Sequence, residues 1–132
     1  MSGFVWDDVR HALGVADMDA THRDFVALAS RLAQADDAAF AALFGQLLDH
    51  TRGHFAAEDA KMRATRFPAL GEHVGEHQRV LGELRAFNRS VQAGRQRMAR
   101  AYVRESLPEW FALHLATMDS ALAAHLRRQA AA

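Results

Sequence analysis

The sequence predicts an all-α protein: an up-down-up-down antiparallel four-helix bundle with an N-terminal arm. Apolar residues recur at three- and four-residue intervals in four long segments, which is typical of amphipathic helices. Short connections separate the segments and favour antiparallel neighbours. The 132 residues suit one domain spanning 1–132. Within it, we expect an arm at 1–17, the bundle at 19–128 and a frayed tail at 129–132.

The first two predicted elements are the arm and helix A. The arm has an apolar anchor at residues 4–6, Phe-Val-Trp. Helix A is predicted over about 19–34 from the helical spacing of its apolar residues, with Asp17 or Asp19 as its N-cap.

Helices B and C follow with clear boundaries. Asp36 and Asp37 offer an N-cap for helix B, which is predicted to run to about Arg63 before Pro68 breaks it. Helix C is predicted over about 69–91, and a glycine turn follows it.

Helix D is predicted over about 95–128 and contains Pro108. Residues 106–109, Ser-Leu-Pro-Glu, fit a capping box with proline early in a new helix. Helix D is therefore either one kinked rod or a helix that restarts at Ser106.

Composition excludes several classes of protein. The chain has no cysteine, so disulfides and thiolate metal sites are excluded. Its net charge is zero, which indicates no nucleic-acid partner. The longest apolar run, 38–44, is too short to span a bilayer, and no secretory signal is visible. We therefore expect a soluble cytoplasmic protein without a transmembrane segment.

A basic stretch surrounds the connection between helices C and D. It contains seven arginines between Arg79 and Arg104. The stretch is either a solvated surface or a docking patch for an acidic partner or a membrane surface.

Seven residues with metal-ligating side chains are spread over the four predicted helices. They are His22, His54, Glu58, His73, His77, His114 and Asp119. Imidazole suits iron, copper, zinc and nickel, and carboxylates can bridge two cations. Helix bundles build two-metal sites by pointing such groups inward from facing helices.

The spacing of these residues supports a shared site. His54 and Glu58 are four residues apart, as are His73 and His77. Four residues advance only about 40° around an α-helix, so each pair shares a face. These faces are apolar, and an unpaired polar group in such a core costs about 1–3 kcal/mol. A bound metal pair would remove that cost.

The spacing of His114 and Asp119 gives the least support for a shared site. They are five residues apart, which is about 140° around an ideal α-helix. They converge only if a bulge or a long reach of the aspartate helps.

Four motifs follow one another along the chain. They are a helix start at 14–22, H-F-A-A-E at 54–58, H-V-G-E-H at 73–77, and W-F-A-L-H at 110–114 continuing to Asp119. In this order they resemble the hemerythrin family, in particular the single-domain bacterial hemerythrins. The resemblance covers nearly the whole chain, and all seven ligand positions match.

The resemblance implies a non-haem di-iron centre, oxo- or hydroxo-bridged. Glu58 and Asp119 would bridge two iron ions. One iron would take His73, His77 and His114, and the other His22 and His54. The second iron would keep an open position for dioxygen, which other small ligands such as azide and nitric oxide could also occupy.

Three functions compete on these grounds. The first is reversible dioxygen binding by an oxygen carrier, store or delivery protein, which is not an enzyme. The second is a di-iron enzyme or sensor with oxidase, peroxidase or nitric-oxide-reducing activity. The third is a bundle without a functional metal. The site is histidine-rich and lacks the Glu-x-x-His motif of carboxylate-rich di-iron oxidases, which favours oxygen binding.

Some positions depart from the family pattern. Phe111 stands where leucine is common, and we expect it to form an apolar wall at the oxygen site, unless it packs against a neighbouring helix instead. His50 replaces a common tyrosine and is either a hydrogen-bond partner of the site or a surface residue. His11 and His125 lie outside the motifs and are expected to be exposed.

Overall fold

The computed structural model describes residues 4–132, and its long elements are helices that form a bundle. A short helix in the arm precedes three long helices. Their bounds are α1 Asp8–His11, α2 Ala16–Gln34, α3 Asp37–Ala64 and α4 Leu70–Gln92. The chain then continues as one helical run whose parts are α5 Arg97–Ala101, π1 Tyr102–Ser106, α6 Leu107–His114, π2 Leu115–Asp119 and α7 Ser120–Ala131. The predicted all-α class is confirmed.

Contacts between helix ends define the antiparallel arrangement of α2, α3 and α4. Lys61, near the end of α3, pairs with Asp17, near the start of α2, at 2.6 Å between Nζ and Oδ2. The side-chain amide of Gln92, at the end of α4, donates to the carbonyl of Ala41, near the start of α3, at 2.8 Å. Each long helix therefore runs back along the one before it.

The fourth helical run closes the bundle against α2. Arg127, near the end of α7, donates to the carbonyl oxygen of Leu13, just before α2 begins. At the other end of the bundle, α2 contacts π1. The last helix therefore lies antiparallel to the first, as the up-down-up-down topology requires.

The predicted N-cap is correct for α3 and wrong for α2. Asp36 is the N-cap of α3, and its carboxylate accepts from the Ala39 N–H at 2.9 Å. Helix α2 instead begins at Ala16, before both predicted caps, and its N-cap Val15 makes no side-chain hydrogen bond. The buried Asp19 carboxylate accepts from the Leu13 and Gly14 N–H groups, so it fastens the arm to α2 rather than capping the helix.

The predicted capping box at Ser106 does not form. Ser106 has helical dihedral angles, φ −74° and ψ −41°, and its side chain makes no cap hydrogen bond. The helix does not restart there; it widens in π1, where the Leu107 N–H donates to the Tyr102 carbonyl. Pro108 has no N–H and would clash with the carbonyl four residues earlier in a regular α-helix, and a π-turn just before it provides room.

Two apolar clusters occupy the two ends of the bundle interior. The larger contains Phe25, Leu47, Leu84 and Leu107 among its fully buried members, and the smaller is built around Met18, Met62, Phe67, Leu122 and Ala123. All seven candidate ligands lie along their helices at the level where these clusters meet.

The C-terminal residues also belong to a helix. Helix α7 continues to Ala131, so it includes most of the segment 129–132 that was expected to be frayed, and those residues are exposed. Within residues 4–132, no helix combines the length and apolar character needed to cross a membrane.

Candidate metal centre

The seven candidate ligands are all buried and converge in the middle of the bundle. Their ligating atoms form two groups, in each of which the atoms lie within 4.8 Å of one another. The larger group is Glu58, His73, His77, His114 and Asp119, and the smaller is His22, His54 and Glu58. Glu58 belongs to both groups, so the two potential cation positions are adjacent.

The π2 segment explains how His114 and Asp119 come together. It spans Leu115–Asp119, and the Ser120 N–H donates to the Leu115 carbonyl, five residues back. Such a turn holds one more residue than an α-helical turn, so residues five apart come to the same side of the helix. The bulge that the five-residue spacing required is present.

The Glu58 carboxylate faces histidines of both groups, with one oxygen for each. Its Oε2 lies 2.8 Å from His54 Nε2 and 3.1 Å from His22 Nε2. Its Oε1 lies 3.2 Å from His77 Nε2 and 3.5 Å from His73 Nε2. This is the arrangement that a carboxylate bridging two cations needs.

Asp119 repeats the pattern from the opposite helix. Its Oδ1 lies 3.2 Å from His73 Nε2 and 3.3 Å from His114 Nε2. Its Oδ2 lies 3.3 Å from His22 Nε2. Both carboxylates therefore present one oxygen to the three-histidine side, His73, His77 and His114, and one to the two-histidine side, His22 and His54.

The carboxylates and imidazoles strongly perturb one another in the metal-free chain. Burial opposes the charged form of His22, but the hydrogen bonds and charges of Asp119 and Glu58 outweigh it and raise the pKa of His22 to about 9. The neighbouring Asp119 and Glu58 carboxylates likewise outweigh burial at His73 and raise its pKa to about 9. Burial also opposes ionisation of Glu58, yet hydrogen bonds from the histidines hold its pKa well below the usual value. Burial opposes ionisation of Asp119 as well, yet the surrounding histidines hold its pKa below the usual value, so both carboxylates stay ionised in the metal-free chain.

Several ligating atoms have no hydrogen-bond partner among the described residues, although they are buried. They are the Nε2 atoms of His73, His77 and His114, Glu58 Oε1 and Asp119 Oδ1. Buried polar atoms normally have hydrogen-bond partners. A cluster of buried polar atoms that lack partners and point at a common centre indicates a binding site for a cation. Imidazole nitrogens and carboxylate oxygens are suitable ligands for iron, so the residues fit the implied metal.

The two-histidine side has an apolar wall. Phe111 is 2% exposed, and the edge of its ring meets His22 at 5.8 Å between centroids. It stacks on Phe25 at 5.2 Å, and Phe25 in turn meets His54 at 6.4 Å. Phe111 therefore packs against the site as well as against a neighbouring helix.

Aromatic rings also enclose the three-histidine side. Phe55 stacks face to face on His77 at 3.8 Å and an angle of 5°. Trp110 stacks on His114 at 4.7 Å, and its indole N–H donates to Glu76 at 2.8 Å. These contacts fix the planes of two ligand rings and exclude water around them.

The structure corrects or refines the expectations for the remaining histidines. His125 was expected to be exposed, which is wrong: it is 8% exposed and its Nε2 donates to the Thr65 carbonyl at 2.9 Å. His11 is half-buried, with its ring 6.2 Å from Phe111. His50 is half-buried beside His54, and its buried Nδ1 has no hydrogen-bond partner among residues 4–132.

One contact of the site was missed by reasoning from the sequence. The Asp59 carboxylate lies 2.8 Å from Nδ1 of His77. The only sequence signal is a second acidic residue directly after Glu58, and its partner on α4 is not visible from spacing along one helix.

The arginine stretch is partly neutralised within the chain. Arg79 pairs with Glu76 and Glu83 at 2.9 and 2.7 Å, and Arg100 pairs with Asp37 at 3.0 Å. Docking of an acidic partner there stays a prediction.

Metal removal should lower the stability of the fold. A ligand that binds only the folded state stabilises it, by about 4 kcal/mol at a free concentration of a thousand times its Kd. We expect the metal-loaded protein to melt at a higher temperature than chelator-treated protein, measured by circular dichroism. Adding metal back should restore the higher melting temperature, and coincident melting curves would contradict the claim.

Comparisons with known proteins agree with this geometry. A family model described as "Hemerythrin HHE cation binding domain" matches residues 13–126. The chain is 40% identical over 114 residues to a protein named "Bacteriohemerythrin" from Ralstonia nicotianae, an alignment that covers 86% of this chain and 82% of that relative. No solved structure matches the chain significantly. The family match spans most of the sequence and includes all seven converging residues, so the chain belongs to the hemerythrin family.

Proposed function

We propose that this protein holds two iron ions and binds dioxygen reversibly, as an oxygen carrier, store or delivery protein. The observation that carries the proposal is the orientation of Glu58 and Asp119, whose paired oxygens face two different groups of histidines. Membership of the hemerythrin family supports iron as the metal.

The unequal histidine supply gives the two iron positions different roles. His73, His77 and His114 would hold one iron, and His22 and His54 the other, with both carboxylates shared. The second position therefore has one protein ligand fewer. Iron supplies the electrons and the open coordination position that dioxygen binding requires. Our proposal places that open position on the side of His22 and His54.

The residues around the two-histidine side suit binding rather than turnover. Phe111 and Phe25 line this side with apolar surface. Such an apolar surface slows the entry of water and protons. If these entered freely, bound oxygen would leave in reduced form and the iron would stay oxidised. A histidine-rich site with two carboxylates also differs from the carboxylate-rich sites of ferritin-like oxidases. Both features support a non-enzymatic function.

The proposal is tested by metal analysis and one pair of visible spectra. We expect about two irons per chain in protein expressed with ample iron, as the two ligand groups require. The reduced protein should gain a visible absorption band in air and lose it on deoxygenation, repeatedly. A His125→Ala variant is the control, because it removes a buried histidine outside the site. An irreversible change to a ferric spectrum would overturn reversible binding and support the enzyme alternative.

Loss of Glu58 should damage the centre more than loss of His22. Glu58 would serve both irons and neutralise charge between them, whereas His22 would serve one. We expect Glu58→Ala to retain less iron per chain than His22→Ala, measured on protein purified in parallel. Glu72→Ala, which removes an exposed glutamate, should keep the full iron content. Equal iron loss in the Glu58 and His22 variants would contradict the bridging assignment.

Phe111→Ala should open the apolar wall of the oxygen site. Removing a fully buried phenylalanine costs about 3–5 kcal/mol, and the resulting cavity would admit water and anions. We expect faster autoxidation and faster azide binding to the ferric form, followed by visible absorption.

The matched control for Phe111→Ala is Phe44→Ala. Phe44 is fully buried but lies about 15 Å along α3 from His54 by helical rise. It should lower stability similarly without changing the autoxidation rate. Wild-type autoxidation in a folded, iron-loaded Phe111→Ala variant would contradict the role of the wall, as would equal acceleration in both variants.

A further inference from the structure

We propose that Asp59 is a positioning residue that prepares His77 to bind metal. The proposal rests on the metal centre described above and assigns a role to a residue outside the seven ligands. Asp59 Oδ1 lies 2.8 Å from His77 Nδ1, and the two residues are 9% and 0% exposed. A buried carboxylate at this distance from an imidazole nitrogen makes a strong, well-shielded hydrogen bond.

The hydrogen bond decides which ring nitrogen of His77 carries the proton. An ionised carboxylate can only accept, so Nδ1 must be the donor. In the neutral ring, Nε2 then presents a lone pair. That lone pair points towards Glu58 Oε1 at 3.2 Å, and the contact is not a hydrogen bond. Two electron-rich atoms that face each other in a buried site repel, and a cation between them would remove that repulsion. Asp59 therefore holds His77 in the form that ligates metal.

Helix α3 holds the His77 ring by two contacts one turn apart. Phe55 stacks on the ring face at 3.8 Å, and Asp59 binds the ring edge. Phe55 and Asp59 are four residues apart, so they lie on one face of α3 towards α4. The stacking contact fixes the plane of the ring, and the hydrogen bond fixes its rotation within that plane.

This support is specific to one side of the centre. Among the described residues, the buried Nδ1 atoms of His22, His54 and His73 have no hydrogen-bond partner. Of these four histidines, only His77 has a carboxylate at hydrogen-bond distance from Nδ1, and His77 belongs to the three-histidine side. A carboxylate that accepts a hydrogen bond from the non-ligating nitrogen of an imidazole makes the other nitrogen a stronger electron-pair donor to the metal. Asp59 thus strengthens the side that would hold the coordinatively complete iron, and leaves the oxygen-binding side unchanged.

The experiment compares Asp59→Ala and Asp59→Asn with the wild type by two measurements. The first is the tautomer of His77 in the metal-free protein, from nitrogen-15 NMR of histidine-labelled samples at mildly alkaline pH. The second is affinity for cobalt(II), from competition with a chelator. Asp49→Ala is the control, because it removes an exposed carboxylate from the same helix.

We expect His77 in the wild type to carry its proton on Nδ1, and Asp59→Ala to lose that preference. Cobalt affinity should fall by roughly 10–100-fold in Asp59→Ala, the usual effect of losing such a partner. Asp59→Asn keeps an acceptor oxygen without the charge, so it should keep the tautomer and lose less affinity. If the alanine variant fails to fold, the lower cobalt affinity expected of Asp59→Asn tests the contribution of the carboxylate charge. Asp49→Ala should match the wild type in both measurements.

Two results would overturn the proposal, and they differ from failure of the metal centre itself. The first is an Asp59→Ala variant whose His77 tautomer and cobalt affinity are both those of the wild type. The second is a wild-type His77 whose proton lies on Nε2. If the wild type bound no cobalt, the metal centre would fail, while the tautomer measurement on metal-free protein would still decide the role of Asp59.

Discussion

The structure depends on the burial of two carboxylates, Glu58 and Asp119, in the middle of an apolar bundle. Removing a carboxylate from water is costly unless positive charge or hydrogen bonds compensate for it. The compensating groups are imidazoles contributed by all four helices of the bundle. The same contacts therefore specify the relative positions of the helices and assemble the metal centre, so folding and metal binding are linked through one set of atoms.

The two π-turns of the last helix show two different uses of the same distortion. The turn before Pro108 accommodates a residue that lacks an N–H and needs space. The turn between His114 and Asp119 directs two candidate ligands towards one centre. A regular α-helix would separate these side chains by about 140°, and the carboxylate of Asp119 would point away from His73 and His22. In this family member, a local departure from ideal helix geometry is thus part of the site.

The two sides of the centre are surrounded differently. His77 and His114 are covered by stacked aromatic rings, and His77 has the Asp59 carboxylate behind it. His22 and His54 instead face Phe111 and Phe25. The arm adds to this second side, because Phe4 meets Phe111 at 5.3 Å between ring centroids. This difference agrees with the proposed function, in which the three-histidine side holds its iron with more protein ligands and the apolar two-histidine side admits dioxygen.

The sequence alone determined the helices, their order and the set of candidate ligands, since these follow from local spacing. Apolar periodicity and i,i+4 pairs such as His54 and Glu58 depend only on the geometry of one helix. Only the tertiary structure decided the hydrogen bond of Asp59 to His77, the burial of His125 and the contact of Phe111 with His22. Each of these joins residues from different helices, so it depends on how the helices are rotated and packed. The structure also decided how His114 and Asp119 converge. Their five-residue spacing allowed either a bulge or a long reach of the aspartate, and the π-turn at Leu115–Asp119 shows that it is a bulge.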